Sequence, residues 1–509
     1  MILAGQAGRA DLHDTTAASP AVTTLSDHDA LYSRAVLVHP GQFEVHNHFY
    51  PRVPNAQLHA LVRHFLSLGN RRIAQRYCHL HPEVEPEAVH AALAFTPQYL
   101  RWAGADLLLT TTDRGRRGVT VIEVNSCPSG QKSMPLRQDE DEHGSYRLLL
   151  ERSFLPMLRR RSLPKDGVLA VLWDKNPMET TGYAATLADL TGAPVWLVHC
   201  PADAVGDGSL IRVDNGTLHA CLDGVWTPVK AAFRYVTQRP WTRLPPITRT
   251  AIFNPVLACL AGGRNKLLAA KAYELHNGEL ASTGMQIRVP ETIWDVAAAE
   301  VPAWVARMGG KAVVKDPYSN AGQGVYTIVN QAELDAFMAQ DHRYSRFIVQ
   351  ALIGNAAWSS TSRQGRLYHV GTVPNRKGRI FAYDLRFMVG ASPDGFYPLS
   401  LYARRARSPL QAELSAGSDS WSMLGTNLSV RLEGGRFTTE PDRLLLMDRR
   451  DFNELGIGLD DLTEAYLQTV LSIAAIDGMA RSLINTKGAF RRRHFLSVNP
   501  DTALAAEIL

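Results

Sequence analysis

The sequence predicts an α/β (α+β) protein of several packed units, and three observations carry that expectation. Apolar residues recur at helical spacing through "AQLHALVRHFLSLGNRRIAQRYC" and again through "LDDLTEAYLQTVLSIAAIDGMARSL". Two short apolar runs, "GVLAVLWD" and "APVWLVHC", flank the helix-like "TTGYAATLADLTG", the signature of a small parallel unit. Finally, "RFIVQALI", "GRLYHVGTV", "FAYDLRFMVGA" and "YPLSLYARRA" succeed one another as an antiparallel series.

Taken in order, residues 1–41 are rich in Ala, Thr, Ser and Asp and read as a loose tail. Residues 42–150 read as helices followed by a hairpin, "ADLLLTTTDRGRRGVTVIEVNS", whose second strand ends at Glu123 and Asn125. The small parallel unit spans 165–260. A lysine-bearing helix, "NKLLAAKAYELH", then leads through 261–345 into a strand, a glycine loop and a second strand. The antiparallel series and the last long helix fill 346–480, and the basic 481–509 is expected to be peripheral. No internal repeat is present.

A length of 509 residues allows two to four such units, and 45% hydrophobic residues is ordinary for a globular protein. The net charge of +5 suits anionic small molecules as readily as nucleic acid. The arginine clusters (Arg159 to Arg161, Arg404, Arg405, Arg407, Arg491 to Arg493) are dispersed and lack interleaved aromatics, so nucleic acid is not an expected partner. The cysteines, Cys78, Cys127, Cys200, Cys221 and Cys259, are odd in number and far apart, the usage of a reducing compartment. Arg9 and Asp11 interrupt the N-terminal apolar residues too early for a secretory segment, and no run approaches a membrane span. A soluble, cytoplasmic protein without a membrane partner is expected, a homodimer being the default assembly.

Two stretches carry chemistry. In "VVKDPYSNAGQGV", Lys315 ends a strand, and Ser319, Asn320, Gly322, Gln323 and Gly324 follow in a turn that returns into strand. Glycines let backbone N–H groups approach polyphosphate, and a fixed ammonium neutralises its charge. Strand rather than helix follows, so this is neither a Walker loop nor a dinucleotide fingerprint. In the hairpin, Glu123 and Asn125 lie two apart and so share a face, and Asp113 on the partner strand is expected to join them around a metal. Each stretch alone is also compatible with a structural hairpin.

The succession of Lys266 opening a helix, Lys315 before a glycine loop, the strand "FIVQALI" and then Asp384 and Arg386 in "YDLRF" resembles the ATP-grasp superfamily. The metal hairpin that this family carries last is found here near the N-terminus, the order of glutathionylspermidine synthases and eukaryotic-type glutathione synthetases. The resemblance therefore implies a circularly permuted ATP-grasp fold with a small pre-ATP-grasp α/β domain and an N-terminal helical region. It covers about 105–476. The same resemblance implies that Lys266, Lys315, the loop residues, Gln350, Ala351, Leu352 and Asn427 cradle ATP. Asp113, Glu123 and Asn125 would hold Mg2+, two ions being expected. Arg386 and Arg405 would stabilise charge in transfer, Arg404 being the alternative to Arg405.

The implied activity is ATP-dependent ligation of a small-molecule or peptide carboxylate to an amine through an acyl phosphate. A non-catalytic ATP-binding scaffold and a small-molecule kinase on the same fold are the alternatives. Ser126, Ser129 and Lys132 in "NSCPSGQKSMP", and Arg234 in "AAFRYV", are candidates for substrate contact, with a structural ion pair the other reading of Arg234. Lys271 reads as a surface lysine. The pairs His46/His48 and His79/His81 with Cys78 match no closed zinc module and read as structural. Cys127 has no implied histidine partner and is not expected to be a nucleophile.

Overall fold

The computed structural model describes residues 28–507, apart from 139, 160–162, 165, 203–208, 238–242, 320, 321, 323, 364, 416, 417 and 432–436. Asn320, Gln323 and part of the Arg159 to Arg161 cluster therefore lie outside the described residues. So do residues 1–27 of the expected tail. The remainder of that tail is ordered into the fold. Helix His28–Ser33 precedes strand Val36–Val38, which pairs antiparallel with Val195–His199 and extends the first sheet.

That first sheet is the expected small α/β unit. Val168–Trp173 lies between Val195–His199 and Val225–Tyr235 with all three strands parallel, and Ala251–Phe253 adds a fourth. Strands buried on both faces read as continuous apolar runs, which is why "VLAVLW" shows no alternation. Helix Pro177–Thr191 packs against it, opened by Pro177 in the first turn and ended by Gly192 in the left-handed conformation.

The second sheet is small and antiparallel, in the order Thr292–Ala297, Arg346–Gln350, Ala312–Lys315, Val325–Ile328. Alternation sorts its side chains. Val314, Phe347 and Val349 join Val305 and Phe337 of two covering helices in one apolar cluster. Val313, Lys315, Ile348 and Gln350 take the opposite, open face.

The third sheet unites the ends of the chain's middle. The expected hairpin forms as Trp102–Thr112 and Arg117–Ser126. Its first strand also pairs with Ile380–Ser392, the strand of Asp384 and Arg386, which pairs in turn with Gly395–Arg405. The N-terminal hairpin is thus a part of the same sheet as the Asp-x-Arg strand. Helix Leu459–Ser482, buried along nearly its whole length, packs behind this sheet, and the N-terminal helices Ala60–Ser67, Gly69–Leu80 and Pro86–Ala94 pack onto it. Those helices, expected as a region of their own, serve as the outer layer of the third sheet.

Asp477 on the long helix ties these layers together. Its buried carboxylate accepts from the backbone N–H groups of Gln98, Tyr99 and Leu100 at 3.0, 2.6 and 3.0 Å and pairs with Arg481. The chain is so fixed just before the hairpin begins. The basic C-terminal segment is likewise attached rather than peripheral. Helices Arg492–Val498 and Thr502–Ala506 bury Phe495 and Leu504, and Val498 accepts a 2.7 Å bond from Lys271, which is half-buried and lies over Trp294. Among the described residues no helix is long and apolar enough to cross a membrane.

Asp477→Ala would strand three backbone donors in the core. It should lower stability by about 3 kcal/mol or more, since hydrogen bonds to a buried charge contribute roughly 1.5–3 kcal/mol each and are not additive. A calorimetric melt that matched the unsubstituted protein would refute this role.

Candidate functional site

The three sheets meet around one cavity of about 960 Å3. Four segments far apart in sequence line its centre: Asp106, Glu123 and Asn125 from the hairpin, Lys315 and Gln350 from the small sheet, Asp384, Arg386 and Arg404 from the large sheet, and Arg264 before the lysine helix. A second cavity of about 570 Å3 adjoins it, sharing Glu123, Arg264, Lys315 and Gln350, and it is here that Lys266 lies.

Lys315 projects from the open face of its strand because Val314 and its neighbours turn into the helical core. Its Nζ donates to Gln350 Oε1 at 2.8 Å. Burial pushes the ammonium down to about 8, with Glu123 pulling the other way and Lys266 adding to the depression. Lys266 opens its helix after the Asn265 side chain caps Leu268 N–H. Its Nζ donates to Ser319 O and Oγ at 3.0 Å and stands 3.8 Å from Glu123 Oε2. The glycine loop needs its glycines. Gly322 has φ +77°, and a Cβ there would fall 2.4 Å from Asn427 Nδ2; at Gly324, φ +62°, it would collide with the Asp316 carboxylate. Asn427 thereby packs on the loop tip, with Trp421 beside it.

At the expected adenine strand, the Ala351 N–H already donates to Glu291 O and the Leu352 N–H to Ser360 Oγ, at 2.8 and 2.7 Å. These two donors are engaged, so the stretch offers the cavity apolar walls beside Val313 and Ile122.

Asp113 is not part of the site. It sits at the turn of the hairpin, hydrogen-bonded to Tyr368, seven residues along the strand from Asp106, which faces Glu123 in register. At about 3.3 Å per residue that is roughly 23 Å. Asp106 is the carboxylate that the alternation places opposite Glu123, and the expectation for Asp113 is corrected accordingly. Asp106 receives both Nε and Nη2 of Arg386, at 2.6 and 2.7 Å, and Arg404 at 3.0 Å. Burial works to raise its carboxyl, but the two guanidiniums prevail and hold it well below the usual carboxylate range.

Arg405 also needs correction. Its neighbour Arg404 faces the cavity, paired in register with Asp384 and bonded to its carboxylate. Arg405, one residue on and so on the other face, lies over the Phe381 ring at 4.8 Å.

Of the substrate candidates, Ser129 and Lys132 line the cavity. Ser126 and Arg234 do not. Ser126 Oγ lies 3.0 Å from Cys259 Sγ in the core, and buried Arg234 bonds the carbonyls of Asn254 and Val236 and the thiols of Cys127 and Cys259. The loop carrying Ser129 and Lys132 is held by Glu179, a residue that sequence reading missed. Its carboxylate accepts from Gly130 N, Gln131 N, Ser129 Oγ and Asn176 Nδ2 at 2.6–2.8 Å. The sequence signal is a lone Glu in the first turn of a helix whose residues Glu179 to Ala188 are all buried.

Among the described residues no three His, Cys, Asp or Glu side chains converge as a metal cage. His81 bonds Glu464, and His48 bonds Met178 O and Thr181, away from each other. What the hairpin offers is the Glu123 carboxylate, engaged among the described residues only by the loose Lys266 contact, and the Asn125 amide, whose Oδ1 accepts from Arg264 at 2.8 Å while its buried Nδ2 finds no partner among them. Magnesium is commonly held by one or two protein oxygens together with substrate phosphates, so this donor pair suits a phosphate-bound ion.

No family model matches this sequence, and no curated protein matches it. Among solved structures, the chain is similar to a RimK domain ATP-grasp protein from Sphaerobacter thermophilus DSM 20745 (15% identity, 46% of this chain and 90% of that one, TM-score 0.29). It is also similar to a glutathione synthetase-like effector, GSS30, from Globodera pallida (8% identity, 68% and 81%, TM-score 0.36). A third is D-alanyl-alanine synthetase A from Vibrio cholerae O1 biovar eltor str. N16961 (9% identity, 52% and 94%, TM-score 0.28). The architecture is α/β as expected, and of these similar structures one is described as an ATP-grasp protein and the other two as a glutathione synthetase-like effector and a synthetase. At TM-scores below 0.5 none of them bears on what the site does; its own geometry does.

Lys175, at the end of Val168–Trp173, also lines the cavity, and burial pushes it down to about 8, with Arg264 next in effect. Lys175 and Lys315 in the folded, ligand-free protein thus hold protons less firmly than an unfolded lysine near 10.4. Their burial destabilises the fold fully below pH 8, and the penalty fades as pH rises from 8 towards 10.4. Lys175→Met should therefore melt higher than the unsubstituted protein at pH 7, on the order of 1–3 °C, with the gap closing by pH 10. A gap that widened with pH would contradict this sign.

Proposed function

We propose that this chain is an ATP-dependent carboxylate–amine ligase of ATP-grasp type that works through an acyl phosphate and releases ADP and phosphate. The observation that carries this reading is the splice of the Glu123/Asn125 hairpin into the sheet of Arg386, which brings both to the cavity that Lys315 enters from the opposite sheet. Phosphoryl transfer is largely positioning and charge neutralisation, and these residues supply both.

Lys315 and Lys266 neutralise the polyphosphate, the loop of Ser319, Gly322 and Gly324 closes over it, and the walls at Ala351 and Leu352 receive the base. Glu123 and Asn125 would hold magnesium, which when bound would supply positive charge to neutralise the phosphates. Asp113, at the hairpin turn, is too far along the strand to join them. Arg386 is held by Asp106 through two of its nitrogens, which fixes its plane and leaves Nη1, 3.5 Å from Tyr402 OH, towards the transferring group. A substrate carboxylate oxygen attacks the γ-phosphorus, the bond to the bridging oxygen breaks and ADP departs. An amine then adds to the acyl carbon, phosphate leaves and the nitrogen loses a proton.

Purified protein incubated with Mg-ATP, hydroxylamine and pools of carboxylates should form ADP and a hydroxamate. ADP with a stable phosphorylated product would favour a kinase instead, and nucleotide binding without turnover a scaffold. Glu123→Ala and Lys315→Ala should each lower ADP formation by a factor of about a hundred to a thousand, as loss of one transition-state stabiliser does. Wild-type turnover in either would sink the site assignment. Arg404→Met should approach the same loss, whereas Arg405→Met, off the cavity, should keep ADP formation within about threefold; the reverse order would restore the sequence-based choice.

A further inference from the structure

One wing of the main cavity remains unused by the nucleotide. It lies outside the carboxyl ends of strands Val168–Trp173 and Val225–Tyr235, the end at which parallel sheets bind ligands, and its walls include Tyr50, Lys132, Lys175, Asn176, Met178 and Tyr235. The acidic groups of this wing are already committed. Asp174 accepts from Thr237 N and Oγ1 at 2.7 and 3.2 Å and from Arg243 at 3.2 Å. Glu179 is saturated by the loop it holds. Lys132 donates to the Asn176 amide oxygen and lies 4.9 Å from the centre of the Tyr50 ring.

Lys175 differs from all of these: among the described residues it has no hydrogen-bond or ion-pair partner. Its nearest charges besides Asp174 are Arg264, Arg386 and Lys132, which repel it. A cation that a fold places in a cavity, with its adjacent carboxylate already bound elsewhere, is a cation that awaits an anion.

We propose that Lys175, backed by Lys132, receives the non-reacting carboxylate of an organic substrate, so that the protein selects molecules that carry a carboxylate remote from the reacting group. The inference rests on the ligase reading above for what the reacting group does. It makes Lys175 a specificity-determining residue and names the substrate class: dicarboxylic or amino-dicarboxylic acids on the acid side, or an amino acid on the amine side.

The test uses the full chain and calorimetric titration with malonate through adipate, L-aspartate, L-glutamate and, for each, the monoamide that lacks one carboxylate. At least one dianion should bind the unsubstituted protein tenfold or more tightly than its monoamide. Lys175→Met should erase that difference, Lys175→Arg should keep part of it, and Mg-ATP affinity should stay within twofold in both. Because Lys175→Met is expected to be at least as stable as the original, lost binding would not reflect lost folding.

The proposal is overturned if no dianion is preferred, if Lys175→Met retains the preference, or if Mg-ATP affinity falls with it, which would assign Lys175 to the nucleotide. If Lys175 dependence persists in the hydroxylamine assay, the carboxylate belongs to the acid. If it appears only when an amino acid serves as the amine, it belongs to the amine. Dianion preference without any ADP would sink the ligase reading alone, and turnover indifferent to Lys175 both with hydroxylamine and with amino acids as the amine would sink this inference alone.

Discussion

The site depends on one carboxylate, that of Asp106. It lies on the strand between the hairpin partner that bears Glu123 and the strand that bears Arg386, in register with both. Its two oxygens fix the Arg386 fork and meet Arg404, so that two cations can stand side by side in a buried place without expelling one another. Two buried guanidiniums without such a partner would cost several kcal/mol of desolvation and repulsion. The pairing also sets the plane of Arg386 before any anion arrives, the preorganisation that the proposed phosphoryl transfer calls for.

Around this centre, other contacts hold the loops and helices that carry the cavity's residues. Glu179 organises the Ser129–Lys132 loop from a helix of the first sheet, and the C-terminal helices brace the helix that Lys266 opens, through Lys271 and through Asn499 against Asn265. Glu507 accepts from Tyr344 OH, which also donates to Tyr318 O at the base of the glycine loop. The C-terminal helices are thus among the elements that position residues of the middle.

Much of this was legible in the sequence, and the limits have physical reasons. Lys315, Glu123, Asn125 and Arg386 stood out only through their succession along the chain, which resembles the ATP-grasp order, since each stretch alone suits a structural hairpin as well. The hairpin was legible too, but its register was not: a bulge at Ile122, between the pairs Asp106–Glu123 and Leu107–Val121, shifts the partner strand. Counting from the turn still excludes Asp113, which stands at the tip. Arg404 and Arg405 are adjacent, and only the pairing of Asp384 with Arg404 decides which faces inward. Lys175, Glu179 and Asp106 carry no motif, because their roles arise from contacts made across the fold. The tail's Val36–Val38 was hidden by its brevity; three residues give no periodicity.

The pairing of Asp106 with Arg386 spans 280 residues of chain. On a ribosome that adds roughly 5–20 residues per second, the hairpin waits on the order of 14–56 s before its partner strand is made. Throughout that interval its long apolar strand presents an unpaired edge, the geometry most prone to adopt the wrong neighbour. Loop closure of this length adds only logarithmically to the equilibrium cost, so the folded state loses little by the arrangement. The burden is kinetic: the cavity's central ion pair cannot form until the strand that bears Arg386 has been made.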